Sequence, residues 1–97
     1  MGAVLPLLAL RAFTEAGRLG SLKAAAERLG VTPGAVSQQI RLLEARIGVA
    51  LFVRSRHGVH FTEAGARVYP DLLRSFDQIE KSLSLLENLA VEKTLTI

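Results

Sequence analysis

The chain has 97 residues and a formal net charge of +3, which is enough for one domain with a modest core. It contains no cysteine, so disulfides and thiolate metal sites are excluded, and its two histidines alone are too few ligands to fill a structural zinc site. It has no signal-peptide pattern and no apolar run near the ~20 residues that span a membrane, so we expect a soluble, cytoplasmic protein.

The charge is unevenly distributed along the chain. Residues 1–62 hold eight Lys or Arg and three acidic residues, a net +5, whereas residues 63–97 hold four basic and six acidic residues, a net −2. A basic first part joined to an acidic second part suggests a polyanion-binding module with a separate attachment. Ordinary surface charge is the alternative, and charge alone does not decide between them.

The first predicted helix runs from about Pro6 to Ala16. Proline suits a first helical turn, where its missing N–H costs nothing, and Gly17 is the predicted stop. The spacing of its apolar residues predicts a buried face that comprises Leu7, Leu8, Leu10 and Phe13.

The second predicted helix is short, from Ser21 to Leu29. Ser21 can cap it, and Gly30 follows as a left-handed terminator. Residues 24–26 are alanines, which favour a helix and let another helix approach closely. The Ser21 end of this helix is either a plain N-cap or a site that also binds phosphate.

The third predicted helix has Thr32 as its cap, Pro33 at its first position and Gly48 as its end. Together with the second helix and the tight turn between them, it predicts a helix-turn-helix unit. Steps of four, three and four residues predict an inward stripe of Val36, Ile40, Leu43 and Ile47.

The other side of this helix is polar and thin. At about 100° per residue, Gly34, Gln38, Arg41 and Ala45 point away from the stripe, and Ser37 flanks them. A solvated helix face is one explanation. The other is a recognition helix in the major groove, where Gln38 pairs with adenine, Arg41 reaches guanine or phosphate, and Ser37 serves either role. The small side chains at Gly34 and Ala45 would let that face seat closely on DNA.

Two β-favouring runs, residues 51–53 and 59–61, flank a basic turn and predict a hairpin. A hairpin directly after a helix-turn-helix is a wing. Its charges could enter a minor groove or contact phosphate, and a solvated turn with incidental charge is the alternative. The residues predicted to contact DNA from this turn are Arg54, Arg56 and His57.

A fourth helix is predicted to start at Thr62, a capping residue, and Pro70 should kink it near its start. It could pack on its own domain, but we prefer a parallel or antiparallel pair of helices from two copies, because a lone helix would expose a large apolar strip. A two-fold dimer would place two recognition helices ~34 Å apart. The predicted dimer contacts form a heptad seam of Tyr69, Leu72, Phe76, Ile79, Leu83, Leu86 and Ala90.

The predicted fold class is therefore mainly α. Residues 5–62 form a winged helix-turn-helix of three helices and a hairpin, and residues 63–91 form a long dimerising linker helix. Residues 94–97 alternate like a strand. We therefore expect residues 92–97 to begin a further domain that this chain lacks.

Several short motifs occur together at fixed spacings, and in this combination the chain closely resembles the N-terminal half of LysR-type transcriptional regulators. The opening stretch also resembles the subgroup of that family that controls glycine cleavage, β-lactamase and tryptophan genes. The motifs are LRAF at 10–13, GSLKAAAERL at 20–29, VTPGAVSQQI at 31–40, LE at 43–44, LFxR at 51–54 and TEAG at 62–65.

The resemblance implies a function for the whole regulator. It implies a homodimer that binds double-stranded operator DNA of the T-N11-A type, with RNA polymerase as a candidate partner and no membrane association. The family's C-terminal effector domain binds a small-molecule inducer, and no cofactor is expected in this fragment. The DNA contacts that carry over from the family fall on Thr32, Pro33, Ser37, Gln38 and Arg54.

The chain departs from the family pattern at a few positions. Leu22 stands where an aromatic residue is usual, which should alter only packing. His57 and His60 stand where basic residues are frequent, while Arg56 is basic where a small residue is common. We therefore expect the wing's contacts with DNA to be either redistributed or weaker at higher pH.

Two other classes of function compete with DNA binding. A dimeric protein-interaction module would use the helical surface and the seam without binding DNA. An enzyme finds no support in the sequence, which has no visible nucleophile–base pair, metal set or glycine-rich phosphate loop. Another winged-helix family is disfavoured by the long heptad helix straight after the wing.

Overall fold

Three helices, a two-stranded hairpin and one long helix follow one another in this computed structural model, which describes residues 4–95 and the side chains up to residue 93. This order confirms the predicted mainly α architecture, a winged helix-turn-helix followed by a long helix. The elements are α1 (Leu7–Leu19), α2 (Leu22–Leu29), α3 (Pro33–Ile47), β1 (Phe52–Ser55), β2 (Gly58–Phe61) and α4 (Glu63–Leu95).

The helix-turn-helix unit is set by caps close in sequence. The hydroxyls of Ser21 and Thr32 each accept a hydrogen bond of 3.1 Å from the backbone N–H three residues later, which satisfies a free donor at the start of α2 and α3. Gly30 and Gly48 end these helices in left-handed conformations, with φ of 73° and 75°. All four predicted boundaries are confirmed.

The first helix extends one turn further than predicted. It continues through Gly17 to Leu19, and Gly20 supplies the left-handed end with φ of 68°. A Cβ at Gly17 would press on the ring of Phe61 in the wing. Gly17 is therefore not a stop; it is a place where the hairpin approaches α1 closely.

The core is built from apolar side chains of the three helices together with residues of the hairpin and the segment before it. Phe13 and Ile40 are completely buried, and two of the predicted alanines, Ala25 and Ala26, are buried where α2 packs on its neighbours. The inward positions predicted for α1 and α3 are wrong at three residues, because their side chains are about half exposed. These positions are Leu7, Leu8 and Ile47.

An aromatic cluster joins the wing and the long helix to the three-helix unit. The ring of Phe13 lies 5.2 Å from that of Phe52, 5.8 Å from that of Phe61 and 6.4 Å from that of Tyr69, measured between centroids. Phe52 and Phe61 are partners in the antiparallel register and stack on each other. Burial of these rings, with their favourable tilted contacts, fixes where the hairpin lies.

The end of α3 is tied to the first strand by one carboxylate. Glu44 Oε2 accepts hydrogen bonds from the backbone N–H groups of Leu51, at 2.7 Å, and Phe52, at 3.2 Å. Both bonds involve a charged acceptor, which makes them stronger than neutral hydrogen bonds. The position of the wing is therefore fixed relative to α3.

The start of α4 is held against the segment that precedes the wing. Thr62 caps the helix by accepting from the N–H of Gly65 at 3.1 Å, and its hydroxyl donates to the carbonyl of Ala50 at 2.7 Å. A Cβ on Gly65 would overlap the carbonyl oxygen of Leu51. The glycine of the TEAG motif therefore permits a backbone–backbone approach.

The long helix runs without a break from Glu63 to Leu95, with Pro70 inside it. The kink expected at Pro70 stays a prediction. The strand expected for residues 94–97 is wrong at its first two positions, since the backbone there is helical, and the last two lie outside the described residues. Within residues 4–95, no helix is both long and apolar enough to span a membrane.

Gly65→Ala should destabilise the fold by about 1–3 kcal/mol, because the new methyl group must displace the backbone of the neighbouring segment. Gly34→Ala is the matched control. A Cβ there meets nothing closer than the Thr32 hydroxyl at 4.0 Å, so it should be neutral or stabilise by roughly 0.4–1 kcal/mol. Urea denaturation measures both free energies of unfolding. Equal effects of the two substitutions would contradict the close approach at Gly65.

Candidate nucleic-acid interface

The outer side of α3 forms a shallow concavity of about 400 Å³. The opposite side of the helix packs into the core through its first three predicted stripe residues, so the helix is divided lengthwise into a buried and an open half. The predicted polar face is confirmed as an exposed surface. The concavity is lined by Gly34, Ser37, Gln38, Arg41 and Leu42.

Gln38 and Arg41 are exposed and form no hydrogen bond or ion pair with other side chains in the described part of the chain. The amide of Gln38 can donate and accept at once, and the guanidinium of Arg41 presents several donors. Both residue types pair bidentately with base edges in the major groove. Their full hydrogen-bonding capacity is available to an external partner.

In the structure, Arg54 lies in the first strand of the wing and its side chain contacts α3. Arg54 lies in β1, opposite Val59, and its Nη1 donates a hydrogen bond to the hydroxyl of Ser37. Its Nη2 is buried and has no hydrogen-bond partner within residues 4–95. The prediction that Arg54 sits in the basic turn is wrong, because its side chain reaches back to α3 and brings positive charge beside the polar face.

The hydrogen bond from Arg54 orients the hydroxyl group of Ser37. Its oxygen accepts from Arg54, so its own hydroxyl hydrogen is left for another acceptor. The carbonyl and phosphate oxygens of DNA are acceptors of that kind. The wing and the recognition helix therefore share one surface, joined by this pair.

The tip of the wing carries the other two predicted wing contacts. Arg56 and His57 are exposed in the two-residue turn between the strands, where the His57 N–H donates to the hydroxyl of Ser55 at 3.1 Å. The following residue, Gly58, has φ of 116°, and a Cβ there would overlap the carbonyl oxygen of Gly20. The base of the turn is therefore anchored on the corner between α1 and α2, while its tip is open.

The starts of α2 and α3 differ in exposure. Thr32 and Pro33 are exposed at the beginning of α3, and Ser21 is half-buried as the cap of α2. The plain N-cap role of Ser21 is confirmed. Phosphate binding by Ser21 and the DNA contacts of Thr32 and Pro33 stay predictions.

The heptad seam is divided between two environments. Its first three residues, Tyr69, Leu72 and Phe76, pack within the chain, and Phe76 is only 7% exposed. The prediction that the whole seam faces a partner is therefore corrected at these three positions. Beyond them, the side chains of Ile79 and Leu83 are 52% and 53% exposed. The two other predicted contacts further along this exposed half are Leu86 and Ala90.

A charged cluster holds the middle of α4 on α1. The Arg11 guanidinium lies over the Phe76 ring, 5.3 Å from its centroid, and its Nη2 is 2.9 Å from Glu80 Oε2. Buried Glu15 lies between Arg11 and Arg18 and raises the pKa of Arg18 further above its usual value through their hydrogen bond and charge attraction. Because Arg11 and Glu80 are partly exposed, the buried ring contributes more to the attachment than the ion pair.

Sequence reasoning missed several apolar residues on the surface. Leu85 and Leu89 are each about 60% exposed and lie one turn apart on α4, outside the heptad positions. Leu42 is exposed on the recognition face. An apolar groove of about 520 Å³ also lies between α1, the end of α3 and the start of α4. Its lining includes the predicted apolar positions Leu10, Ile47 and Leu72, together with Val49 and Val68, for which no role was predicted.

Comparisons with known proteins agree with this geometry. Residues 7–66 match the model of a family described as "Bacterial regulatory helix-turn-helix protein, lysR family". The transcriptional activator AmpR of Providencia stuartii is 49% identical over 84 residues, 87% of this chain and 29% of that protein. The transcriptional regulator TrpI of Pseudomonas aeruginosa is 55% identical over 69 residues, 70% of this chain and 23% of that protein. This chain thus spans less than a third of either relative.

Among solved structures, the crystal structure of the CbnR DBD–DNA complex is similar to this chain with a TM-score of 0.70 and 31% identity. The similarity covers 86% of this chain and 95% of that one. The similarity therefore extends over most of this chain and nearly all of that one.

The hydrogen bond between Arg54 and Ser37 should be measurable as a coupling free energy. We expect a double-mutant cycle of Ser37→Ala and Arg54→Ala, followed by urea denaturation, to give roughly 1 kcal/mol of coupling, since the pair is charge-assisted but only partly buried. A cycle of Ser37→Ala with Arg56→Ala is the control and should give none, because Arg56 is in the open turn. Equal coupling in both cycles would contradict the placement of Arg54.

Proposed function

The chain belongs to the LysR family of bacterial helix-turn-helix regulators and carries the family's DNA-binding domain, and we propose that it reads a duplex operator as a dimer. The observation that supports this most directly is the open polar face of α3. That face carries Gln38 and Arg41, which have no hydrogen-bonding side-chain partner within residues 4–95, on a helix whose other face is buried. A surface of this shape fits a major groove about 12 Å wide.

In the proposed complex, α3 lies in the major groove. Gln38 pairs with an adenine, and Arg41 contacts a guanine or a phosphate. Ser37 donates its free hydrogen to an acceptor on the DNA while Arg54 holds its oxygen. Arg54 itself contributes its charge to the nearby backbone phosphates. Sequence selectivity therefore depends mainly on Gln38 and Arg41.

The wing makes the second set of contacts. Arg56 and His57 extend from the open tip and reach phosphates or the minor groove next to the major groove that α3 occupies. The hairpin's position relative to α3 is fixed by Glu44 and the aromatic cluster. Both sets of contacts can therefore form together without a rearrangement of the domain.

Dimerisation is proposed to use the exposed half of α4. Ile79, Leu83 and Leu86 supply the exposed seam, and Leu85 and Leu89 widen it. Together these side chains form an apolar strip of the kind that single soluble domains rarely leave open. The packed half of α4 fixes this strip relative to α3, so pairing two strips also sets the spacing of two recognition helices.

The whole protein is proposed to be a transcriptional regulator of the kind the resemblance implies. It would add an effector domain that binds a small-molecule inducer and would meet RNA polymerase at the promoter. We expect a cytoplasmic location, because promoter DNA is there in bacteria. The names of the relatives, an activator and a regulator of transcription, support this assignment.

Gln38→Ala should relax selectivity at one base position, at a cost of about 1–3 kcal/mol for the preferred base pair. A selection from a randomised duplex library, made with the unchanged chain and with the variant, measures the change position by position. Gln39→Ala is the matched control, because Gln39 is half-buried outside the concavity. If Gln38→Ala weakened binding to all sequences equally, Gln38 would not be reading a base.

Leu83→Glu should weaken the dimer about tenfold or more, because it brings two carboxylates into an apolar contact. Light scattering across a dilution series measures the molar mass. Ser84→Glu is the control, since residue 84 is also exposed but lies outside the seam, and it should leave the mass unchanged. An unchanged mass for Leu83→Glu would rule out the seam as the dimer contact.

A further inference from the structure

An exposed leucine interrupts the polar recognition face. Leu42 lines the same concavity as Ser37, Gln38 and Arg41, and its side chain is 55% exposed. It is not among the apolar residues that pack on the core. Exposed leucines are common on protein surfaces, but this one stands among the side chains proposed to meet base edges.

Leu42 also differs from the other exposed apolar residues near the end of α3. Ile47 and Val49 line the apolar groove beside α4, whereas Leu42 does not. The exposed side chain of Leu42 therefore does not belong to that apolar groove. Whatever contacts Leu42 approaches the molecule from the same direction as the partner of Gln38.

The spacing along the helix places Leu42 one turn after Gln38. Four residues at 1.5 Å each separate their backbones by about 6 Å along the axis. Successive base pairs are about 3.4 Å apart, so two such side chains on one face address base pairs one or two steps apart. Leu42 is thus positioned over a base pair close to the one that Gln38 contacts.

The chemistry of the major groove leaves one good match for a leucine. Base edges there present hydrogen-bond donors and acceptors, which an aliphatic side chain cannot satisfy, and the 5-methyl group of thymine, which it can cover. Contact between the two removes apolar surface of both from water. A polar edge opposite Leu42 would instead lose its water without gaining a partner.

We propose that Leu42 recognises the 5-methyl group of a thymine one or two base pairs from the pair that Gln38 contacts. The inference rests on the proposed function, since it requires α3 to lie in the major groove. It adds a specificity-determining residue and names the group that this residue recognises. Leu42 then selects a thymine through shape and apolar contact alone.

The test removes the methyl group from the DNA and the side chain from the protein, separately and together. The best duplex from the library selection is made with each thymine replaced in turn by deoxyuridine, which differs only by that methyl group. Binding is measured by fluorescence anisotropy for the unchanged chain, Leu42→Ala and Leu42→Met. Val31→Ala is the control, because Val31 is also an exposed apolar residue but lies outside the concavity.

We expect one deoxyuridine position to weaken binding of the unchanged chain about three- to fourfold, the effect of burying one methyl group. At that position the loss should vanish in Leu42→Ala and persist in Leu42→Met and Val31→Ala. The proposal is overturned if the loss in Leu42→Ala has the same size, or if the unchanged chain has no sensitive position. In either case the proposed function stands as long as the chain still binds its selected sequence selectively. If the selection enriches no sequence, the proposed function fails and this inference fails with it.

Discussion

The buried ring of Phe13 is the contact on which the rest of this arrangement depends. It belongs to α1, yet it touches both strands of the wing and the start of the long helix through three other aromatic rings. Within residues 4–95 the two strands of the hairpin pair only with each other, and a two-stranded hairpin alone is marginally stable in water. Packing on Phe13, together with the carboxylate of Glu44, gives the wing its fixed position beside α3. That position is what allows Arg54 to meet Ser37.

The long helix combines two kinds of surface in one rigid element. Its first half belongs to the core of the DNA-binding domain, through Tyr69 and Phe76, and its second half leaves leucines open. Arg11 lies where the two halves meet and fastens the helix to α1. Because the helix is continuous across this point, the geometry of a pairing between two copies would be transmitted directly to the recognition helices. The spacing of the two half-sites that a dimer would read therefore depends on how the two copies pair.

Much of the fold could be predicted from the sequence, because its signals are local. The caps at Ser21, Thr32 and Thr62 and the left-handed glycines act within a few residues, and the alternation of the hairpin is equally short in range. The errors arise where distant segments meet. Gly17 has the composition of a helix stop, but its role is set by Phe61 of the wing, which no local pattern reveals.

The candidate site was predictable to a similar extent. The angular spacing on α3 identifies Gln38 and Arg41, since a helix with one buried face must expose the other. It does not identify the partner of Arg54, because that contact depends on how the wing folds back. It also does not identify Leu42 as part of the recognition face, because Leu42 is apolar. The division of the seam at Phe76 likewise follows from tertiary packing, since the heptad pattern is the same on both sides of it.

The most direct test of the account is fluorescence anisotropy of a labelled duplex of T-N11-A type, titrated with this chain at two salt concentrations beside a scrambled duplex. We expect tighter binding to the patterned duplex, with affinity falling by about a thousandfold between roughly 50 and 200 mM salt, because several phosphate contacts release counterions from the DNA. No binding to either duplex at low salt, with the dimer intact by light scattering, would contradict it. The open polar face of α3 would then belong to a surface for protein partners.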